Sequence, residues 1–99
     1  MSKKYYTDYV RHALRFYTRN CDKPEFKTDV DKANWIACDR VIRKYSDDHA
    51  QLLISIYSGY DTLADEVYNA SKRFGVNQDV IWDDMKEFER RIAKARLLL

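Results

Sequence analysis

Between Asp61 and Met85 the sequence D-T-L-A-D-E-V-Y-N-A-S-K-R-F-G-V-N-Q-D-V-I-W-D-D-M places one stop signal between two start signals. Thr62 is suited to cap a helix, Gly75 to end it in the left-handed conformation, and Asn77 to cap the next. The stretch therefore predicts two helices joined by a sharp corner at Phe74-Gly75-Val76. Ala70, Ser71, Phe74, Gly75, Val76 and Ile81 fall where the facing helices of a helix-turn-helix need small or apolar side chains. Elsewhere the chain offers few places to turn, with only two Gly and one Pro in 99 residues. The fold class predicted is all-α: a compact bundle of about five helices with a C-terminal helix-turn-helix and a long last helix. A chain of this length makes one domain, with N-terminal helices over 6–45 and the helix-turn-helix part over 46–99.

The other helices follow from periodicity. Tyr6, Val10, Ala13, Leu14 and Tyr17 share one face of a helix from Tyr6 to Arg19, and Arg11, Arg15 and Arg19 recur every four residues on another. That arginine row reads as a solvated face, as a ridge that tracks phosphates, or as a site for an acidic partner. Tyr5, Tyr6, Tyr9, Phe16 and Tyr17 put five of the 14 aromatic residues into the first 17, more than one helix face can bury, so some should meet another helix or another chain. Residues 20 to 28 hold the only proline and form a loop, with Phe26 expected to pin it to the core.

A second helix capped by Thr28 or Asp29 is expected to reach about Tyr45. One seam is Val30, Ala33, Ala37, Val41 and Lys44, and its neighbour is Asn34, Cys38 and Ile42, with Trp35 and Ile36 at least half buried. Ser46 caps a third helix whose core stripe is Leu52, Leu53, Ile56 and Tyr57, with His49 an incidental surface group in its first turn. The last helix runs from Asn77 towards the C-terminus along Ile81, Met85, Phe88 and Ile92. Glu89, Arg90, Arg91, Ala93 and Lys94 are expected on its exposed face, and Leu97-Leu98-Leu99 should pack back on the first helix or join a second copy.

Charge gives a mixed message. The formal net charge of +2 is small, but residues 1–44 hold eleven Lys or Arg against six Asp or Glu, a balance of +5, and residues 45–99 hold seven against ten, a balance of −3. A phosphate-bearing partner is thus directed to the N-terminal half. On the second helix of the corner, Asp79, Asp83 and Asp84 would repel phosphates rather than attract them.

Catalytic chemistry has little to stand on. There is no Gly-rich phosphate loop, no H-E-x-x-H, and no serine or cysteine with a matching histidine and acid, so an enzyme is not expected. Cys21, Cys38, His12 and His49 lack metal-ligand spacing. Asp83, Asp84 and Glu87 share a helical face but have no second liganding segment, so neither metal nor cofactor is expected. Without an apolar run of signal-peptide or membrane-spanning length, the expectation is a cytoplasmic, soluble protein with no membrane partner.

Taken together, D-K-A-N-W-I-A-C-D-R-V-I, L-L-I-S-I-Y, D-T-L-A-D-E-V-Y, F-G-V-N-Q-D-V-I-W and E-R-R-I-A-K resemble a family of small phage or prophage proteins of Firmicutes, the ArpU and RinA type of late-gene transcriptional regulator. The C-terminal part of that family is similar to the helix-turn-helix of sigma factor region four. The resemblance covers roughly residues 31–94, with Asn34-Trp35 and Ile81-Trp82 its most distinctive pairs. It implies a cofactor-free regulator that binds double-stranded DNA, with a recognition helix over Asn77 to Lys86. Gln78, Trp82 and Lys86 would then face a groove, with Asn77 at the helix start and Lys72 and Arg73 near phosphates. Asp79 and Asp83 depart from that pattern and leave open a member that binds protein, such as a subunit of RNA polymerase. The alternative reading is a non-enzymatic helical interaction module, self-associating or docking on a protein partner through its aromatic first helix and leucine end.

Overall fold

A computed structural model describes residues 6–22 and 24–98, so Tyr5 and Leu99 lie outside the described residues. Five helices follow one another: α1 (Thr7–Arg19), α2 (Asp29–Ile42), α3 (Asp47–Tyr57), α4 (Leu63–Phe74) and α5 (Gln78–Ala95), with no strand among the described residues. Four of the five begin on a side chain that accepts a hydrogen bond from a backbone N–H of the first turn. Thr28 accepts from Asp31, Ser46 from His49, Thr62 from Asp65 and Asn77 from Asp79. Each cap satisfies one of the donors that a helix start leaves without a partner, worth about 1 kcal/mol. No described helix is long and apolar enough to cross a membrane.

Two helices hold the bundle together. α1 packs on α2, α3 and α5, while α5 packs on α1, α2 and α4, and α3 completes the circuit by packing on α4. Ile81, Met85, Phe88 and Ile92 form an unbroken buried seam along α5. Burial of each is worth roughly 1.5–3 kcal/mol, so α5 carries a large share of the apolar driving force. Opposite it stand Val10, Ala13, Leu14 and Tyr17 of α1 and Leu52, Leu53, Ile56 and Tyr57 of α3, all buried. Phe88 meets Tyr45 edge-on at a ring-centroid distance of 5.3 Å and Tyr57 at 6.1 Å. Cys38 is a small buried hydrophobe of the same core, and burial pushes its thiol up to about 12.

Several expectations change. α2 ends at Ile42, not near Tyr45. The N–H groups of Lys44 and Tyr45 close three residues back, on Val41 and Ile42, which tightens the chain before the extended backbone that Ser46 needs as a cap. Val30 lies a turn before the packed part of α2 and is exposed, as is Lys44 beyond its end, so that seam is buried only at Ala37 and Val41, with Ala33 half-buried. Phe26 does not reach the core. It lies at the surface against the rings of Phe16 and Trp35, at 6.4 and 6.0 Å, because Trp35 already fills the space beside Tyr17 at 5.3 Å. Leu97 is 87% exposed and Leu98 half-buried, so the described leucine end does not fold over the first helix as one apolar plug.

The largest change concerns Glu89 and Ala93, which belong to the interior and not to an exposed face. Glu89 is 4% exposed, and its Oε2 accepts from the Tyr57 hydroxyl at 2.6 Å and from Arg11 Nε at 3.0 Å. The side chain is tolerated there because a donor from α3 and a cation from α1 replace the water it gives up.

Candidate nucleic-acid interface

The corner between α4 and α5 is built as the residue types require. Gly75 has φ +67°, and the N–H groups of Gly75 and Val76 both close on the Ser71 carbonyl. The Ser71 hydroxyl donates to the Val76 carbonyl at 2.5 Å, so the turn is tied from both sides. A Cβ on Gly75 would meet nothing within 4 Å. The glycine is there for its backbone conformation and not for space. Two residues later Asn77 starts α5, and the side chains of Phe74, Val76 and Trp82 pack against the core cluster.

The six residues considered for DNA contact do not form one set. Lys72 and Arg73 are exposed at the end of α4, each beside an aromatic ring: Lys72 Nζ lies 5.0 Å from the Tyr68 ring centroid and Arg73 Cζ 5.6 Å from that of Phe74. Gln78 and Lys86 are exposed on α5. Asn77 uses its side-chain oxygen as the helix cap, and Trp82 is half-buried against the core. Lys72, Arg73, Gln78 and Lys86 are thus presented to solvent; Asn77 is exposed too but its side-chain oxygen is taken up by the cap, and Trp82 alone of the six is half-buried.

The arginine row of α1 does not stand as a ridge. Arg11 turns to Glu89, and Arg19 donates from Nη2 to the Gly59 carbonyl at 2.9 Å while its guanidinium sits 4.1 Å from the Tyr60 ring centroid. Arg19 thereby supplies a cation at the C-terminal end of α3, where the helix dipole favours one. Only Arg15 of the three has no partner among the described residues.

His49 is also not the incidental group its position suggests. Its Nε2 lies 3.1 Å from Asp84 Oδ2 and its ring meets Tyr45 edge-on at 4.8 Å, linking the start of α3 to α5. The pair stands at the mouth of a cleft of about 400 Å³ behind the corner, lined also by Ser46, Leu52, Phe74 and Val76. Glu87 is held by Arg90 at 2.7 Å, and this guanidinium lowers its carboxyl below the usual range. Among the described residues no three His, Cys, Asp or Glu side chains gather as metal ligands.

Charge changes sign along α5. Asp79, Asp83, Asp84 and Glu87 crowd its first ten residues against Lys86 alone, whereas Arg90, Arg91, Lys94 and Arg96 follow with only the buried Glu89 opposed to them. Positive potential therefore lies at the far end of the helix from the corner. The residues that complete it, Arg40 and Lys44, come from α2 and the turn after it, within the N-terminal half that carries the charge excess. No protein-family model matches the chain, and no curated protein or solved structure is significantly similar to it.

Proposed function

We propose that the protein is a DNA-binding transcriptional regulator of phage or prophage type, acting through the α4–α5 helix-turn-helix. The observation that supports this reading is the corner itself: two capped helices, a three-residue connection from Gly75 to Asn77, and Lys72, Arg73, Gln78 and Lys86 left in solvent on either side of it. The reading needs no cofactor. Contact with base edges falls to Gln78 and Lys86 and contact with phosphates to Lys72 and Arg73. Titration of labelled promoter DNA from the surrounding genes over a salt series tests it. The expected result is binding at low salt that weakens as salt rises and that exceeds binding to scrambled DNA of equal length. Absence of binding at low salt, or equal binding to both sequences, overturns it.

A second reading, a helical module that docks on itself or on a protein such as an RNA polymerase subunit, draws on the exposed apolar side chains Tyr60, Tyr68, Val80 and Leu97. Sedimentation at micromolar concentration separates the two: a dimer dispersed by Val80→Lys or Leu97→Lys favours the module, and a strict monomer removes its self-associating form.

A further inference from the structure

The side of the molecule formed by the end of α2 and the second half of α5 holds a groove of about 650 Å³ lined mostly by cationic residues, whose stems leave much of its surface apolar. Arg40 and Lys44 line one wall, Arg90, Arg91 and Lys94 the other, and Val41 and Ala95 lie between them. The geometry points to this groove as a binding site for the phosphodiester backbone of a nucleic-acid duplex, separate from the corner at the start of α5.

Helix C-termini attract cations, and α2 and α5 both end nearby, but each end amounts to only about half a negative charge. Among the described residues Glu87 is the one carboxylate engaged with the five cations, through Arg90 at 2.7 Å and Arg91 at 3.9 Å. Arg43, just outside, is matched by Asp39 at 2.7 Å. Five positive charges thus face about two negative ones. Arg40, Lys44 and Lys94 have no partner among the described residues. Three uncompensated cations around one concavity raise the self-energy of the fold, and a polyanion relieves that cost.

Shape and chemistry then select the occupant. On α5 the four-residue spacing sets Arg90 and Lys94 about 6 Å apart along the helix, and Arg40 near the end of α2 and Lys44 in the turn after it face them across the groove. Successive phosphates on one strand repeat at a comparable interval. The lining holds no aromatic ring on which an unpaired base could stack, so the site is suited to backbone and not to bases. From Lys86 to Lys94 is about 12 Å along α5, so the groove and the corner address different parts of any long ligand. The inference stands whether or not the corner reads sequence.

The test compares the full chain with R40Q/K44Q/K94Q and with a control triple, R15Q/K27Q/K32Q, which removes the same charge from exposed positions elsewhere. Circular dichroism first establishes that all three are folded to the same extent. Each is titrated with a labelled 16-base-pair DNA duplex of arbitrary sequence, and with the matching RNA duplex, over a potassium chloride series. The wild-type chain and the control are expected to bind alike. The groove variant should bind roughly tenfold more weakly per removed charge at low salt, with a logarithmic salt slope shallower by about 2.7. Equal loss in both triples, unchanged binding of the groove variant, or no binding of wild type to either duplex overturns the proposal. So does displacement of duplex by poly-glutamate at equal charge concentration, which would make the groove an acidic-protein site. Duplex binding that depends on the groove but shows no preference for promoter DNA keeps this proposal and removes only the sequence-reading function of the corner.

Discussion

Tyr57, the last residue of α3, donates its phenolic hydrogen to Glu89 Oε2 of α5 at 2.6 Å, and the same oxygen accepts from Arg11 Nε of α1. One carboxylate thus pins three helices at the point where they meet. Arg11→Met, which keeps bulk but removes the cation, leaves a nearly dry carboxylate with a phenol as its only neighbour of the two. Because Arg11 is about a quarter exposed, the expected loss is about 2–3 kcal/mol, below the full range for a buried pair. Tyr57→Phe should cost about 1.5–3 kcal/mol, because the bond it removes is made to a buried carboxylate. The double variant R11M/E89L should be more stable than R11M alone, since it removes the stranded charge as well. Urea unfolding measures all three, and R11M within 0.5 kcal/mol of wild type would count against the account.

Among the described residues two hold left-handed backbone, Gly75 at φ +67° and Leu97 at φ +59°. Gly75→Ala should destabilise the protein by about 1 kcal/mol although its methyl group meets nothing, because the cost is conformational. Leu97→Gly should do the reverse, raising stability by about 0.5–1 kcal/mol, since Leu98 N–H already closes on the Ala93 carbonyl in the arrangement that favours glycine at position 97. Thermal melts of the two variants should move in opposite directions.

Alkaline pH should unfold the chain in a predictable window. Burial, with Glu89 beside it, holds the Tyr57 phenol well above its ordinary value of 10, and burial and Asp39 do the same for Tyr17. A raised folded-state value means that stability is complete below the unfolded value and is lost as pH rises through and beyond it. The decline should begin near pH 9, where Cys38 starts to ionise only in the unfolded chain, and steepen above pH 10 as the phenols follow. Each group adds about 1.4 kcal/mol per pH unit across its own window, so Tyr57→Phe should flatten the slope above pH 10 by about that amount. Unfolding free energies measured from pH 8 to pH 11 check the sign.

The two thiols should separate cleanly. Cys21 is half-buried with its Sγ donating to the Tyr17 carbonyl, whereas Cys38 has no exposed surface. A thiol reagent at pH 8 should modify Cys21 in the native protein and reach Cys38 only at the rate of opening. Equal rates at both sites would show that α2 is not closed over the core.

Local signals were legible where neighbours in sequence are neighbours in space. Thr28, Ser46, Thr62 and Asn77 each act on an N–H within three residues, and the Ile81-Met85-Phe88-Ile92 seam is a property of one helix. Glu89 looks like a surface residue by type. What buries it is Tyr57, 32 positions away, and Arg11, 78 positions away, which no local period can announce. The same holds for His49 and Asp84, 35 positions apart. At the candidate interface, exposure of Lys72, Arg73, Gln78 and Lys86 follows from the pattern, but the half-burial of Trp82 does not. The cationic groove shows the limit most plainly: Arg40 with Lys44 and Arg90 with Lys94 are visible as separate pairs, and only the packing of α2 on α5 sets them face to face.

α5 is at once an arm of the corner and the longest wall of the core, bonded through Glu89 to two other helices. It therefore has no hinge: tilting its outer face would break the seam from Ile81 to Ile92. Whatever molecule meets that face meets a stiff template, and adaptation of shape must come from the visitor.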